Sequence, residues 1–130
     1  MSTQIPEDLK YAATHEWLRA AADGTATVGI TDHAQHELTD IVFVELPKIG
    51  RILAAGESCA MVESVKSASD IYSPAAGEVV AVNAALSDNP AQTNNDPYGA
   101  GWFFKLRLAA GGSANGLMDA AGYAKATGKG

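Results

Sequence analysis

Short runs of alternating apolar and polar residues dominate this chain, and Gly, Pro, Asn or Asp interrupt them every ~8–12 positions, the spacing of a mainly β domain. In Thr25-Ala26-Thr27-Val28-Gly29-Ile30 the residues Ala26, Val28 and Ile30 share one face, which predicts a half-buried strand. The same period places Trp102, Phe104, Leu106 and Leu108 on one side of a strand and Lys105 and Arg107 on the other. Thr14 to Arg19 reads as a short strand anchored by Trp17, after an irregular lead-in over 6–13. Ile41 to Leu46 is almost continuously apolar and β-branched, so it reads as a strand covered on both faces until Pro47 and Gly50 stop it. Glycines bracket 50–56, a link that turns at Ala55-Gly56, and Glu78 to Asn83 forms a further strand after the turn at 73–77.

Two helices interrupt this pattern. Thr31 can cap one by accepting a backbone N–H, Asp32 adds negative charge to its first turn, and Ala34, Glu37 and Leu38 share a face as far as residue 38. So short a helix needs tertiary packing to persist. A final helix over about 115–125, capped by Ser113 or Asn115, would bury Leu117, Met118 and Tyr123. Residues 83–98, dense in Asn, Asp and Pro, read as a surface excursion with one turn of helix. The expected fold is a single mainly β domain over 1–130, a flattened barrel or sandwich with a short internal helix and a C-terminal one.

Two strand-forming runs, 58–65 and 71–72 continuing into 77–82, flank a small polar segment with Lys66 near its middle, a hairpin over about 58–72 that presents one amine at its tip. The glycine-bounded strands on either side hint at a weak internal duplication. On the local pattern alone an ordinary solvated lysine is favoured over an attachment point, because exposed turns are normally polar and lysines normally sit on the surface. Composition narrows the choice. Nine basic against fifteen acidic residues give a net charge of −6 with no basic stripe, which argues against nucleic acid. No apolar run approaches the ~20 residues of a membrane span, and residues 1–8 lack the features of a secretory signal, so a soluble, cytoplasmic protein is expected. Cys59 is the sole cysteine, so dithiol chemistry would need sulfur from outside the chain.

Other constellations are weaker. His33 and His36 sit three apart on the predicted helix, but only the distant His15 offers a third metal ligand. Ser64 or Ser67 with Lys66 lacks the glycine elbow and oxyanion hole of a serine nucleophile. A Schiff-base lysine needs a desolvated pocket, whereas Lys66 has serines, an alanine and Asp70 for neighbours. Cys59, inside a strand, reads as a buried and inert thiol.

The hairpin Glu63-Ser64-Val65-Lys66-Ser67-Ala68-Ser69-Asp70, with Tyr72-Ser73-Pro74, Gly77-Glu78-Val79 and Asn83, closely resembles the lipoyl-attachment region of the glycine cleavage system H proteins. Further similar stretches are Thr14-His15-Glu16-Trp17, Val28 to Gln35, Asp40 to Pro47, and Asn94 with Pro97-Tyr98-Gly99 and Gly101-Trp102, in the same order and spacing, so the resemblance covers about residues 9–125. Thr39 stands where glycine is common, Cys59-Ala60-Met61 replaces a more usual aromatic-Gly pair, and the tail after Leu108 is rich in Ala and Gly. The resemblance implies a barrel-sandwich hybrid of lipoyl-domain type and a monomeric, non-catalytic carrier. Lipoate is then held in amide linkage on Lys66, with Glu63, Ser64 and Val65 as the flanks read by a lipoate-attaching ligase or transferase.

The implied partners are glycine decarboxylase (P protein), which loads an aminomethyl group, the tetrahydrofolate-dependent aminomethyltransferase (T protein), which removes it, and dihydrolipoyl dehydrogenase (L protein), which reoxidises the dithiol. Such a cationic, hydrolysis-prone cargo gains from a cleft beside carboxylates. Glu16 and Asp70, with Thr14 as hydroxyl partner, match family positions near the arm. Three alternatives stay open: a biotinyl or lipoyl domain of another complex, a lipoyl relay serving other proteins, and an unmodified interaction module. Against the first, Val65 and Ser67 stand where biotin carriers usually have methionines.

Overall fold

A computed structural model describes residues 5–21, 23–108 and 117–127. The described strands are β1 (Lys10–Tyr11), β2 (Glu16–Ala20), β3 (Thr25–Ile30), β4 (Ile41–Glu45), β5 (Ile52–Leu53), β6 (Ser58–Ser64), β7 (Ala68–Tyr72), β8 (Gly77–Val82) and β9 (Phe104–Leu108). The helices are α1 (Asp32–Leu38), α2 (Ala85–Asp88), α3 (Gln92–Asn95) and α4 (Ala120–Thr127). A six-stranded sheet in the order β1-β2-β3-β9-β8-β5 faces a three-stranded sheet in the order β4-β6-β7, with every pairing antiparallel. This is a flattened sandwich of the expected mainly β class. Val28 and Ile30 of β3, Phe104 and Leu106 of β9 and Val79 of β8 meet Val44, Val62 and Ile71 of the small sheet in one apolar core. Each such side chain, fully buried, contributes about 1.5–3 kcal/mol.

The pairing is nested around the Lys66 turn: β6 pairs with β7 in the small sheet, while β5 pairs with β8 in the large one. Thus β7 starts at Ala68 and does not run on into β8, because the turn at 73–77 moves the chain from one sheet to the other. A second, aromatic cluster of Tyr11, Trp17, Tyr98 and Tyr123 supports the outer end of the large sheet. There Trp17 pairs with Gly29, and its indole fills the space over that glycine so closely that an added Cβ would lie 2.7 Å from the ring.

Three further expectations need correction. The strand at 41–45 is not covered on both faces: β4 is the edge of the small sheet, and Val42 and Phe43 are 55% and 46% exposed. A bulge between Ile41 and Phe43 breaks the alternation there. The C-terminal helix begins at Ala120, not near 115. Met118 pairs with Tyr11 as an extended bridge, and the Asp119 carboxylate accepts the Gly122 N–H in the manner of a cap. The proposed caps Ser113 and Asn115 lie outside the described residues. The 83–98 excursion carries two one-turn helices, where one was expected.

Candidate functional site

The hairpin tip is shaped by one hydroxyl. Ser64 Oγ accepts the backbone N–H of Lys66 at 3.1 Å and of Ser67 at 3.0 Å and donates to the Ser67 carbonyl at 3.1 Å, while Ser64 N–H closes the turn on the same carbonyl at 2.8 Å. With its capacity spent on the turn, Ser64 is not a free nucleophile for Lys66. Glu63, the last but one residue of β6, lies opposite Ala68, and Val65 anchors its N–H on the Asp40 carbonyl at 3.0 Å. Val65 and Lys66 are exposed.

The Lys66 ammonium does not point away from the fold. It donates to the Glu37 carbonyl at 3.2 Å, one of the carbonyls left without an intrahelical partner at the C-terminal end of α1. Helix α1 forms where expected, with Thr31 Oγ1 accepting the Ala34 N–H. It ends at Thr39, whose φ of +64° and ψ of −148° is a conformation suited to glycine. Asn94 then stitches the corner into β4, donating to Gln35 Oε1 and the Thr39 carbonyl and accepting the Ile41 N–H.

Beside this lysine lies a cleft of about 180 Å³ whose walls include Thr14, Glu37, Asp70 and Ile71. Two of the three residues singled out in the sequence, Thr14 and Asp70, line it; Glu16 does not. Glu16 is 1% exposed and sits behind Thr14, accepting from the Thr14 hydroxyl and, at 3.1 Å, from the Tyr72 N–H. Burial raises its carboxyl from 4.5 to about 7, and the hydrogen bonds from Thr14 and Tyr72 oppose that rise. Two further cleft residues escaped sequence reasoning. Glu37 was placed only on a helix face, and His15 only within a family motif and as a remote metal ligand, because the gathering of residues 15, 37 and 70 around one cleft leaves no trace in local spacing.

The remaining candidates behave differently. Cys59 is buried, donates weakly to the Ile71 carbonyl at 3.5 Å, and burial pushes its thiol up to about 12, so it is inert at neutral pH. His36 lies 3.5 Å from Asp32, and the His33 ring stands 4.8 Å from that of His15. Among the described residues, no three His, Cys, Asp or Glu side chains come close enough to hold a metal ion. No helix among them is long and apolar enough to cross a membrane.

A sandwich with a lysine on a hairpin tip at the rim of a cleft is the geometry that a swinging-arm carrier requires. The family model described as glycine cleavage H-protein matches residues 9–129. The chain is 60% identical over 126 residues to the glycine cleavage system H protein of Chromobacterium violaceum, covering 97% of this chain and 98% of that one. It is 60% identical over 124 residues to the protein of the same name from Neisseria meningitidis serogroup C, with 95% and 97% covered. A crystal structure of a glycine cleavage system H protein from Mycobacterium marinum superposes with a TM-score of 0.89 at 45% identity, over 95% of this chain and 99% of that one. The chain belongs to the glycine cleavage system H protein family.

Proposed function

We propose that this chain is the cytoplasmic lipoyl carrier of a glycine cleavage system, with Lys66 as the attachment residue and the cleft behind it as the resting place of the loaded arm. The observation that carries this reading is the Lys66 amine at the cleft rim, on the Glu37 carbonyl, at the end of a turn held rigid by Ser64. The amine fits acylation: it is exposed, and as an amide it keeps one N–H for the same carbonyl. The lipoyl group supplies a dithiol able to take an aminomethyl group and two electrons, chemistry beyond a chain whose sole cysteine is buried.

The side chains of the cleft suit a cationic cargo. Glu37 and Asp70 give the cleft negative charge, and the C-terminal end of α1 adds to it. Ile30, Ala34, Leu38 and Ile71 provide apolar wall that limits water. Thr14 gives its proton to Glu16 and so turns its oxygen lone pairs outward as acceptors; Glu16 acts through Thr14. The exposed Glu63 and Val65 flank Lys66 where a lipoate-attaching ligase or transferase has to approach. The glycine decarboxylase, the aminomethyltransferase and dihydrolipoyl dehydrogenase would then act in turn on the arm, with this chain contributing no catalytic residue.

Co-expression with a lipoate ligase and lipoate, followed by intact mass and peptide mapping, is expected to find one lipoyl-sized addition on the peptide containing Lys66. Lys66→Arg should keep the melting temperature and lose all loading and aminomethyl transfer, since arginine is not acylated in this way. A Lys66→Arg protein that still carried the aminomethyl group would overturn the reading.

A further inference from the structure

His15 stands at the inner wall of the cleft in a backbone conformation rare for a side-chain-bearing residue, φ +76°, held by its N–H on the Ala12 carbonyl at 2.9 Å and by the Thr31 N–H on its own carbonyl at 3.0 Å. Its ring ends a buried chain of hydrogen bonds. His15 Nδ1 lies 2.7 Å from Tyr123 Oη, Tyr123 Oη lies 2.7 Å from Thr31 Oγ1, and Thr31 Oγ1 accepts the Ala34 N–H at 3.1 Å. Thr31 and Tyr123 are 0% and 1% exposed, so water cannot complete the set.

Counting protons leaves one satisfied arrangement. If Thr31 donates to Tyr123 and Tyr123 donates to His15, both hydroxyl protons have acceptors and Nδ1 is bare, so the imidazole hydrogen is on Nε2. If instead His15 Nδ1 donates to Tyr123 Oη, only one of the Tyr123 and Thr31 hydroxyl protons can be used between the two oxygens at most, and the other buried hydroxyl proton has no acceptor among the described residues. Protonating His15 forces this second arrangement, because Nδ1 then carries a hydrogen.

We infer that His15 sets the charge selectivity of the cleft: held as the neutral Nε2–H imidazole by the Thr31–Tyr123 chain, it admits a cationic group on the Lys66 arm, and its protonated form rejects one. The groups around it are His33 and Glu37 from α1, Tyr123 from α4, and Thr14 and Asp70 across the cleft, with Glu16 next to it in the chain but behind Thr14. Burial, and secondarily His33, lower the His15 pKa, against a smaller opposite effect of Glu37. The neutral form therefore persists below the pH at which an exposed histidine charges. The tautomer stands on the hydrogen bonds alone; the selectivity rests on the proposed function of the cleft.

Long-range ¹H–¹⁵N spectra of the unmodified chain test the first part. The expected result is His15 as the Nε2–H tautomer, titrating below the ordinary 6.5, with Tyr123→Phe mixing the tautomers and moving the midpoint upward. An Nδ1–H tautomer in the parent chain, or an unchanged midpoint in Tyr123→Phe, overturns the lock. The second part is read from the lifetime of the aminomethyl-loaded lipoyl chain against pH. The lifetime should shorten as His15 protonates, shift its midpoint upward in Tyr123→Phe, and lose that pH step in His15→Asn, since asparagine tolerates positive φ and carries no charge. A lifetime profile identical in the parent chain and His15→Asn overturns the selectivity. Should Tyr123→Phe not fold, the parent spectrum and His15→Asn still decide both parts. A Lys66 that cannot be lipoylated overturns the function reading and the selectivity with it, and leaves the tautomer standing.

Discussion

Between Ser64 and Ser67 the side-chain hydrogen bonds that shape the hairpin tip span at most three residues, whereas the cleft beside it draws on Thr14, Glu37 and Asp70 and is braced by Tyr123. The two regions face opposite requirements. On the proposed function the tip has to meet an acylating enzyme, so it cannot rely on burial, and turn chemistry within the segment holds its shape. On the same proposal the cleft has to limit water, and burial and long-range packing hold it, at the cost of desolvating a carboxyl at Glu16. Changes at the tip should therefore alter loading with little effect on stability, and changes behind the cleft should do the reverse.

The hardest test of that contrast is Gly29→Ala. The added Cβ would meet the Trp17 indole at 2.7 Å, and the ring is pinned by its Nε1–H on the Pro97 carbonyl at 2.9 Å. Overpacking here should cost about 3 kcal/mol in urea unfolding, with Lys66 still acylated at the parent rate in whatever fraction is folded. Glu16→Gln acts in the other direction and depends on pH. A carboxyl raised from 4.5 to about 7 on folding contributes stability that is fully present below 4.5 and lost as pH rises through about 7. The neutral amide should thus stabilise the protein by up to about 3 kcal/mol at pH 8 and by little at pH 4.5; equal effects at the two pH values would show that Glu16 is not desolvated. Thr39→Gly should stabilise by about 1–2 kcal/mol by relieving the positive φ, measured as a rise in melting temperature. Ser64→Ala is the smallest in stability, under about 1 kcal/mol for an exposed turn. It should nonetheless slow Lys66 acylation more than any of the other three, and a stability loss larger than that of Gly29→Ala would erase the contrast.

Legibility in the sequence followed the range of the forces. Strand Thr25–Ile30 and helix Asp32–Leu38 fall where alternation and the Thr31 cap predicted them, because each signal lies within the element itself. The tip was readable for the same reason. The exposure of Val42 and Phe43 was not, since an unbroken apolar run looks alike in a central strand and in an edge strand with an open outer face. The start of α4 was misplaced because Met118 is claimed by Tyr11, over a hundred residues away. Thr39 was visible only as a departure from a family pattern; the +64° φ supplies the reason a glycine is common there.

The sequence by itself determined the class of fold, the lysine on its hairpin and the family, all of which follow from residue order within short windows. Only the tertiary structure decided that Lys66 rests on the end of α1, that Glu37 and His15 share a wall with Thr14 and Asp70, and that Glu16 stands behind it. Those relations join positions 14 to 123 through buried hydrogen bonds and packing, and a group's charge state depends on who its neighbours are in space.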